Sequence, residues 1–152
     1  MKLKKLDALL VPRADMYSGE EVPEDEERLK YITNFSGSAG YAVISSNSSV
    51  KSVIFSDGRY ELQLKKEVDA KNFDCLNGGF KDVCLFLSAN EKKLKNIAID
   101  PWLLTLKQYE LLKGLLKGSK IKFEFVDKNL IDEIWVKKKL IAKNKIFQIS
   151  NQ

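Results

Sequence analysis

Between Leu29 and Leu64 the chain reads LKYITNFSGSAGYAVISSNSSVKSVIFSDGRYELQL, and this stretch leaves little freedom in how it can fold. Two short apolar runs, Tyr41-Ala42-Val43-Ile44 and Val53-Ile54-Phe55, flank the turn formers Ser45-Ser46-Asn47-Ser48-Ser49. β-Branched and aromatic runs on either side of such a cluster predict a β-hairpin. Upstream, Leu29, Ile32 and Phe35 have helical spacing, and Ser36-Gly37-Ser38-Ala39-Gly40 ends that helix. Two glycines are expected there for backbone angles that other residues resist. Downstream, Asp57 is placed to cap a helix that carries Tyr60 and Leu64 on one face.

The rest of the chain alternates between strand and helix signals. Asp7–Val11 reads as a buried strand stopped by Pro12, and residues 13–28 as a polar surface loop. Glu24, Asp25, Glu26 and Glu27 are expected in the first turn of the next helix, where acids favour the dipole. Phe73–Leu76 and Asn96–Ile99 are strand candidates, Asn77-Gly78-Gly79 is a turn, and Val83–Leu87 fits a strand or a helix, with helix favoured because a polar break and a strand follow. Thr105 and Gln108 have capping-box spacing ahead of Tyr109, Leu112 and Leu116, with Gly118 as the stop. Ile121, Phe123 and Phe125 alternate with Lys122 and Glu124 as a half-buried strand, and Asn129 caps a helix with Ile131, Ile134 and Trp135. This order predicts an α/β domain built on a mixed sheet.

Composition removes several function classes. The chain contains no histidine, so Ser-His-Asp and Cys-His catalysis and histidine-containing zinc sites are excluded. Two cysteines, Cys75 and Cys84, cannot make a four-cysteine site and are expected to be reduced. The start, Met1-Lys2-Leu3-Lys4-Lys5, lacks a signal-peptide pattern and no apolar run is long enough to span a membrane, so the expected location is cytoplasmic with no membrane partner. The net charge of +5 is matched by five lysines in KKKLIAKNK at 137–145, read as a basic linker or tail over 137–152 after a domain at 1–136. Three arginines, Arg13, Arg28 and Arg59, are too few for a base-reading surface, and no nucleic-acid partner is expected.

Three constellations could carry chemistry. Ser36–Gly40 reads as a structural turn, with an anion-binding nest as the functional alternative. It fails as a nucleophile elbow, because Ser36 replaces the first glycine and no histidine exists to activate Ser38. In Ser56-Asp57-Gly58-Arg59-Tyr60, Arg59 falls in the first turn of a helix, where the dipole opposes a positive charge. It should therefore answer to an internal acid or to a carboxylate ligand. The acids from Glu20 to Glu27 lack the spacing of a calcium loop and read as solvated charge. Trp102 and Trp135 read as core or interface anchors.

DALLVPRAD (Asp7–Asp15), Asp25–Leu29, Phe35–Gly40 and Asp57–Tyr60, continued by Asp100-Pro101-Trp102-Leu103-Leu104 and Asn129–Trp135, together resemble one family. It is the amino-terminal domain of Xaa-Pro aminopeptidases (aminopeptidase P) of the creatinase/prolidase type. The resemblance runs over roughly residues 6–135 and implies a mixed six-stranded sheet flanked by helices. It also implies that no residue of this chain is catalytic or binds metal. In the family, two divalent, manganese-like ions sit in a separate carboxy-terminal pita-bread metallopeptidase domain, which is not found here. The amino-terminal domain helps to form the oligomer and closes one side of the substrate cleft, where a peptide beginning with Xaa-Pro loses its first residue. Carried onto this sequence, Arg59 meets substrate, Asp57 supports the turn and Tyr60 packs beneath it.

The family's usual first helix has only Met1–Lys5 in its place, which implies an under-covered sheet face and a partner: another copy of the chain or a separate catalytic half. The alternative is a stand-alone protein-interaction module from a split or eroded aminopeptidase gene.

Overall fold

A computed structural model describes residues 5–136, so the basic segment 137–152 lies outside the described residues. Six strands form one mixed sheet in the order β4-β3-β2-β1-β5-β6. They are β1 (Ala8–Pro12), β2 (Tyr41–Ser45), β3 (Ser52–Ser56), β4 (Phe73–Asn77), β5 (Asn96–Ile99) and β6 (Lys122–Phe125). β2 runs antiparallel to both β1 and β3, as the predicted hairpin requires, with Ala42 opposite Ile54. The β1/β5, β3/β4 and β5/β6 pairs are parallel.

The central strand β1 is buried at every position, because helices cover both of its faces. That is why Ala8–Val11 reads as an unbroken apolar run rather than an alternating one. On one face Leu10, Val43, Phe55 and Ile97 meet α3 (Phe80–Ala89) and α4 (Leu106–Leu115) through Val83, Leu87 and Leu112. On the other, Leu9, Val11, Ala42 and Ile54 meet Leu29 of α1 (Arg28–Thr33), Leu64 of α2 (Glu61–Glu67) and Ile131 of α5 (Leu130–Ile134). Among the described residues both faces therefore carry helices, which corrects the expectation of an under-covered face. The capping box of Thr105 and Gln108 forms as expected, and Cys75 and Cys84 are free thiols.

Three local expectations are corrected. α1 starts at Arg28, not at Glu24: the chain turns at Pro23–Glu26, and Glu26 and Glu27 send their carboxylates to Arg28 and Arg13 instead of the helix dipole. Residues 13–28 are not uniformly a surface loop, since Asp15, Glu26 and Arg28 are all buried. β6 is an edge strand; Ile121, just before it, and Phe123 pack against the core as the alternation predicts, but Phe125 is 53% exposed. Trp102 is also exposed, whereas Trp135 stacks on Tyr31 at 4.6 Å.

Candidate functional site

The Asp57–Tyr60 turn follows β3 directly. Asp57 is extended and closes the turn by accepting the backbone N–H of Arg59 at 3.0 Å. A single 3-10 turn, Gly58–Tyr60, then leads into α2. Arg59 bends back on the same carboxylate, with Nε to Oδ1 at 2.9 Å and Nη2 to Oδ2 at 2.8 Å. The acid that answers Arg59 is thus two residues away in the chain. This fork holds the Asp57 carboxyl below its usual range, through the side-chain hydrogen bond with Arg59, and raises the guanidinium in turn. The Arg59 guanidinium also lies over the Tyr60 ring at 5.4 Å, and Tyr60 meets Phe35 edge-on. The Arg59 side chain remains 74% exposed, so it is oriented but still wet.

The Gly/Ser turn forms the neighbouring wall, and its glycines have a different purpose from the one read in the sequence. Among the described residues the left-handed glycines are Gly78 and Gly118, not Gly37 or Gly40. A Cβ on Gly37 would sit 2.2 Å from the Phe35 ring, so this glycine allows an aromatic ring to lie against bare backbone. Gly40 is similarly hemmed in by Leu29, Phe35 and the Phe55 carbonyl, at 3.1–3.2 Å. No anion nest is formed by these donors: the Ser36 N–H and hydroxyl both go to Glu67, which also accepts from Gln63. These bonds hold Glu67 ionised below its usual range, against a partial desolvation that pushes it the other way. Ser38 shares a hydrogen bond with the Tyr60 hydroxyl, joining the Gly/Ser turn to the Arg59 turn. Arg13 reaches the same wall, donating to the Ser38 carbonyl at 3.2 Å and to Glu27 at 3.1 Å.

The structure places Asp57, Arg59 and Tyr60 side by side in one turn. Sequence reading missed Glu67, Gln63 and Arg13, which brace the site. The helical spacing of Gln63 and Glu67 was a legible signal for one contact, but nothing local announced that their partner would be Ser36. A pocket of about 160 Å³ beside the turn is lined by Asp57, Glu61, Lys65 and Asn77.

A larger cavity of about 420 Å³ opens at the carboxyl ends of β5 and β6. Four of its charged residues, Glu26, Arg28, Asp100 and Asp132, are already engaged internally. Arg28 makes a two-point contact with Asp132 at 2.9 and 3.0 Å and a third bond to Glu26 at 3.0 Å. Asp100 accepts from Asn129 at 2.7 Å and from the Trp102 N–H. Among the described residues no group of three or more metal-ligating side chains is placed to hold an ion. The described donor set therefore does not fit a dinuclear metal centre, and two of the clustered acids, Glu26 and Asp132, serve as partners for Arg28.

Comparison with known proteins defines the setting. The model of the Creatinase/Prolidase N-terminal domain matches residues 1–134. A probable Xaa-Pro aminopeptidase P from Talaromyces marneffei is 32% identical over 98% of this chain and 22% of its own length. One from Laccaria bicolor is 35% identical over 89% of this chain and 21% of its own. The chain thus spans about a fifth of the curated relatives it matches. Among solved structures, the X-prolyl aminopeptidase of Caenorhabditis elegans, described as a cytosolic enzyme with a di-nuclear active site, superposes with a TM-score of 0.78 at 26% identity. That match covers 90% of this chain and 22% of the other. The N-terminal domain of a cytoplasmic peptidase from Mycobacterium tuberculosis shares the fold, with a TM-score of 0.63 at 20% identity, covering 82% of this chain and 85% of the other. No helix among the described residues is long and apolar enough to cross a membrane.

Proposed function

The chain belongs to the creatinase/prolidase N-terminal domain family, and from that premise we propose that it is the non-catalytic domain of a Xaa-Pro aminopeptidase. In this reading it contributes to oligomerisation and closes one side of the peptide cleft, in the cytoplasm. The metal ions and the bond-breaking groups would belong to a separate catalytic domain, where such ions would supply Lewis-acid chemistry for peptide hydrolysis. Arg59 is the residue that meets the peptide. The observation that carries this role is a guanidinium fixed at two points by Asp57 and backed by Tyr60, yet 74% exposed. An internal ion pair alone explains the fixing but not the exposure. A pre-oriented arginine presents its remaining donors to a carbonyl or carboxylate with little further ordering cost. Gly37 and Gly40 bring Phe35 and Tyr60 close enough to make that platform rigid.

The test uses the complete enzyme, made by supplying the catalytic half in cis or in trans. Arg59→Ala should raise KM about tenfold while kcat changes less than threefold, the pattern of lost ground-state binding. An unchanged KM would remove Arg59 from the cleft. Co-purification from the source cell separates this reading from a stand-alone interaction module: recovery of a polypeptide with the two-metal peptidase half supports the first.

A further inference from the structure

We propose that β6 is a self-association edge, on which a second copy of this chain lays its own β6 antiparallel about a twofold axis at Phe123. Two six-stranded sheets would then join into one. This deepens the oligomerisation named above by assigning it a surface, and it does not depend on the role of Arg59.

β6 ends the sheet, and among the described residues no strand lies on its outer side. Its inner side is paired with β5 over four positions, and flanking bonds run from the Lys122 N–H to the Lys95 carbonyl at 2.6 Å and from the Val126 N–H to the Ile99 carbonyl at 3.0 Å. Backbone groups alternate along a strand, so the N–H and C=O of Ile121, Phe123 and Phe125 point to the open side. Such a row is a template for another strand.

The charges choose the partner and the register. With Phe123 on the axis, Lys122 of each copy stands opposite Glu124 of the other, and Ile121 stands opposite Phe125. A shift by one repeat in either direction places Lys122 opposite Lys122, or Glu124 opposite Glu124. Opposite charges across antiparallel strands attract and like charges repel, so a single register is selected. The side chains of Lys122 and Glu124 make no hydrogen bond or ion pair within the described residues, and both residues are exposed. The other sheet edge offers no such match: in β4 the acid Asp74 is already held by Lys51 at 2.7 Å.

Apolar surface next to this edge supports the same partner. Phe125 is 53% and Leu106 72% exposed, and together with Tyr109 and Leu104 they line a cleft of about 300 Å³. Pairing in the stated register sets Ile121 of the second copy against Phe125 and extends the contact toward this cleft. A strand of four residues with this flank predicts a weak, concentration-dependent dimer rather than an obligate one.

Sedimentation equilibrium of the 152-residue chain at low ionic strength, over a concentration series, tests the inference. The native chain should dimerise. Lys122→Glu and Glu124→Lys should each raise the dimer Kd at least tenfold. The double exchange, which restores opposite charges across the axis, should return it to within about threefold of native. Both positions of change are on the surface, and circular dichroism should be that of the native chain. A native chain that stays monomeric, or a dimer insensitive to both single variants, overturns the proposal, as does a double exchange no better than the singles. None of these results alters the KM test of Arg59, so the two readings fail separately.

Discussion

Arg28→Ala should be among the most damaging polar-to-alanine changes in this domain. The Arg28 side chain is 9% exposed and ties the start of α1 to Asp132 in α5 and to Glu26 in the preceding turn. Burial lowers its pKa, but the hydrogen bonds it donates to Asp132 and Glu26 outweigh that and raise it. Removing the guanidinium has unequal effects on its two partners. Asp132 is 29% exposed and can recover solvation, whereas Glu26 is 8% exposed and keeps only the Met16 N–H at 3.2 Å. Breaking one side of a buried ion pair costs about 3–5 kcal/mol, mostly because the stranded charge stays desolvated. The remaining Met16 bond places this case near the lower end, at about 3 kcal/mol. For a domain of this size that corresponds to a fall in Tm of about 6–12 °C. Thermal and urea denaturation of Arg28→Ala, Asp132→Ala and the Arg28→Met/Glu26→Leu pair would measure it. The burial asymmetry requires Arg28→Ala to cost more than Asp132→Ala, and the apolar pair to recover most of the loss. A loss below about 1 kcal/mol, or the reverse order, would refute the assignment to a stranded Glu26.

Two further outcomes follow from the site. Gly37→Ala should destabilise by about 1–3 kcal/mol, since its Cβ would fall 2.2 Å from the Phe35 ring, and denaturant midpoints should show it. A wild-type midpoint would mean that Phe35 yields without cost. Glu67 is depressed in the folded chain, so its contribution is present above the ordinary glutamate pKa and disappears as pH falls through the folded value. Stability measured from pH 6 down to pH 3 should therefore drop less in Glu67→Gln than in the native chain, and parallel curves would remove Glu67 as a source.

The fold was legible wherever the signal was local. Hairpin, caps and central strand all rest on residues within a few positions of one another, as at Thr105 and Gln108, where each closes the other's bond. What escaped were the long-range pairings. Glu24–Glu27 carry a helix-start signature, yet Glu26 and Glu27 bind Arg28 and Arg13, and the helix begins one turn later. Asp132 lies 104 positions from Arg28, and no pattern connects them. The glycines show the same division: the sequence signals a turn at Gly37, but whether it provides a positive φ or room for a ring depends on where Phe35 packs.

The layout of the sheet also decides whether the two proposed roles can coexist. The Arg59 turn follows β3, and in the order β4-β3-β2-β1-β5-β6 that strand lies four places from β6. At about 4.8 Å per strand the turn is roughly 19 Å from the pairing edge, and twofold pairing through β6 puts the two Arg59 turns about 43 Å apart along the sheet. Neither copy then approaches the other's turn. A dimer formed this way leaves both clefts open and unlinked by direct contact, so peptide binding by one copy has no packed route to the other. Lys122→Glu should accordingly dissociate the dimer in the complete enzyme while KM stays within twofold of native. A KM that rises with dissociation would show that the second copy reaches the cleft, and would place the contact nearer β3 than β6.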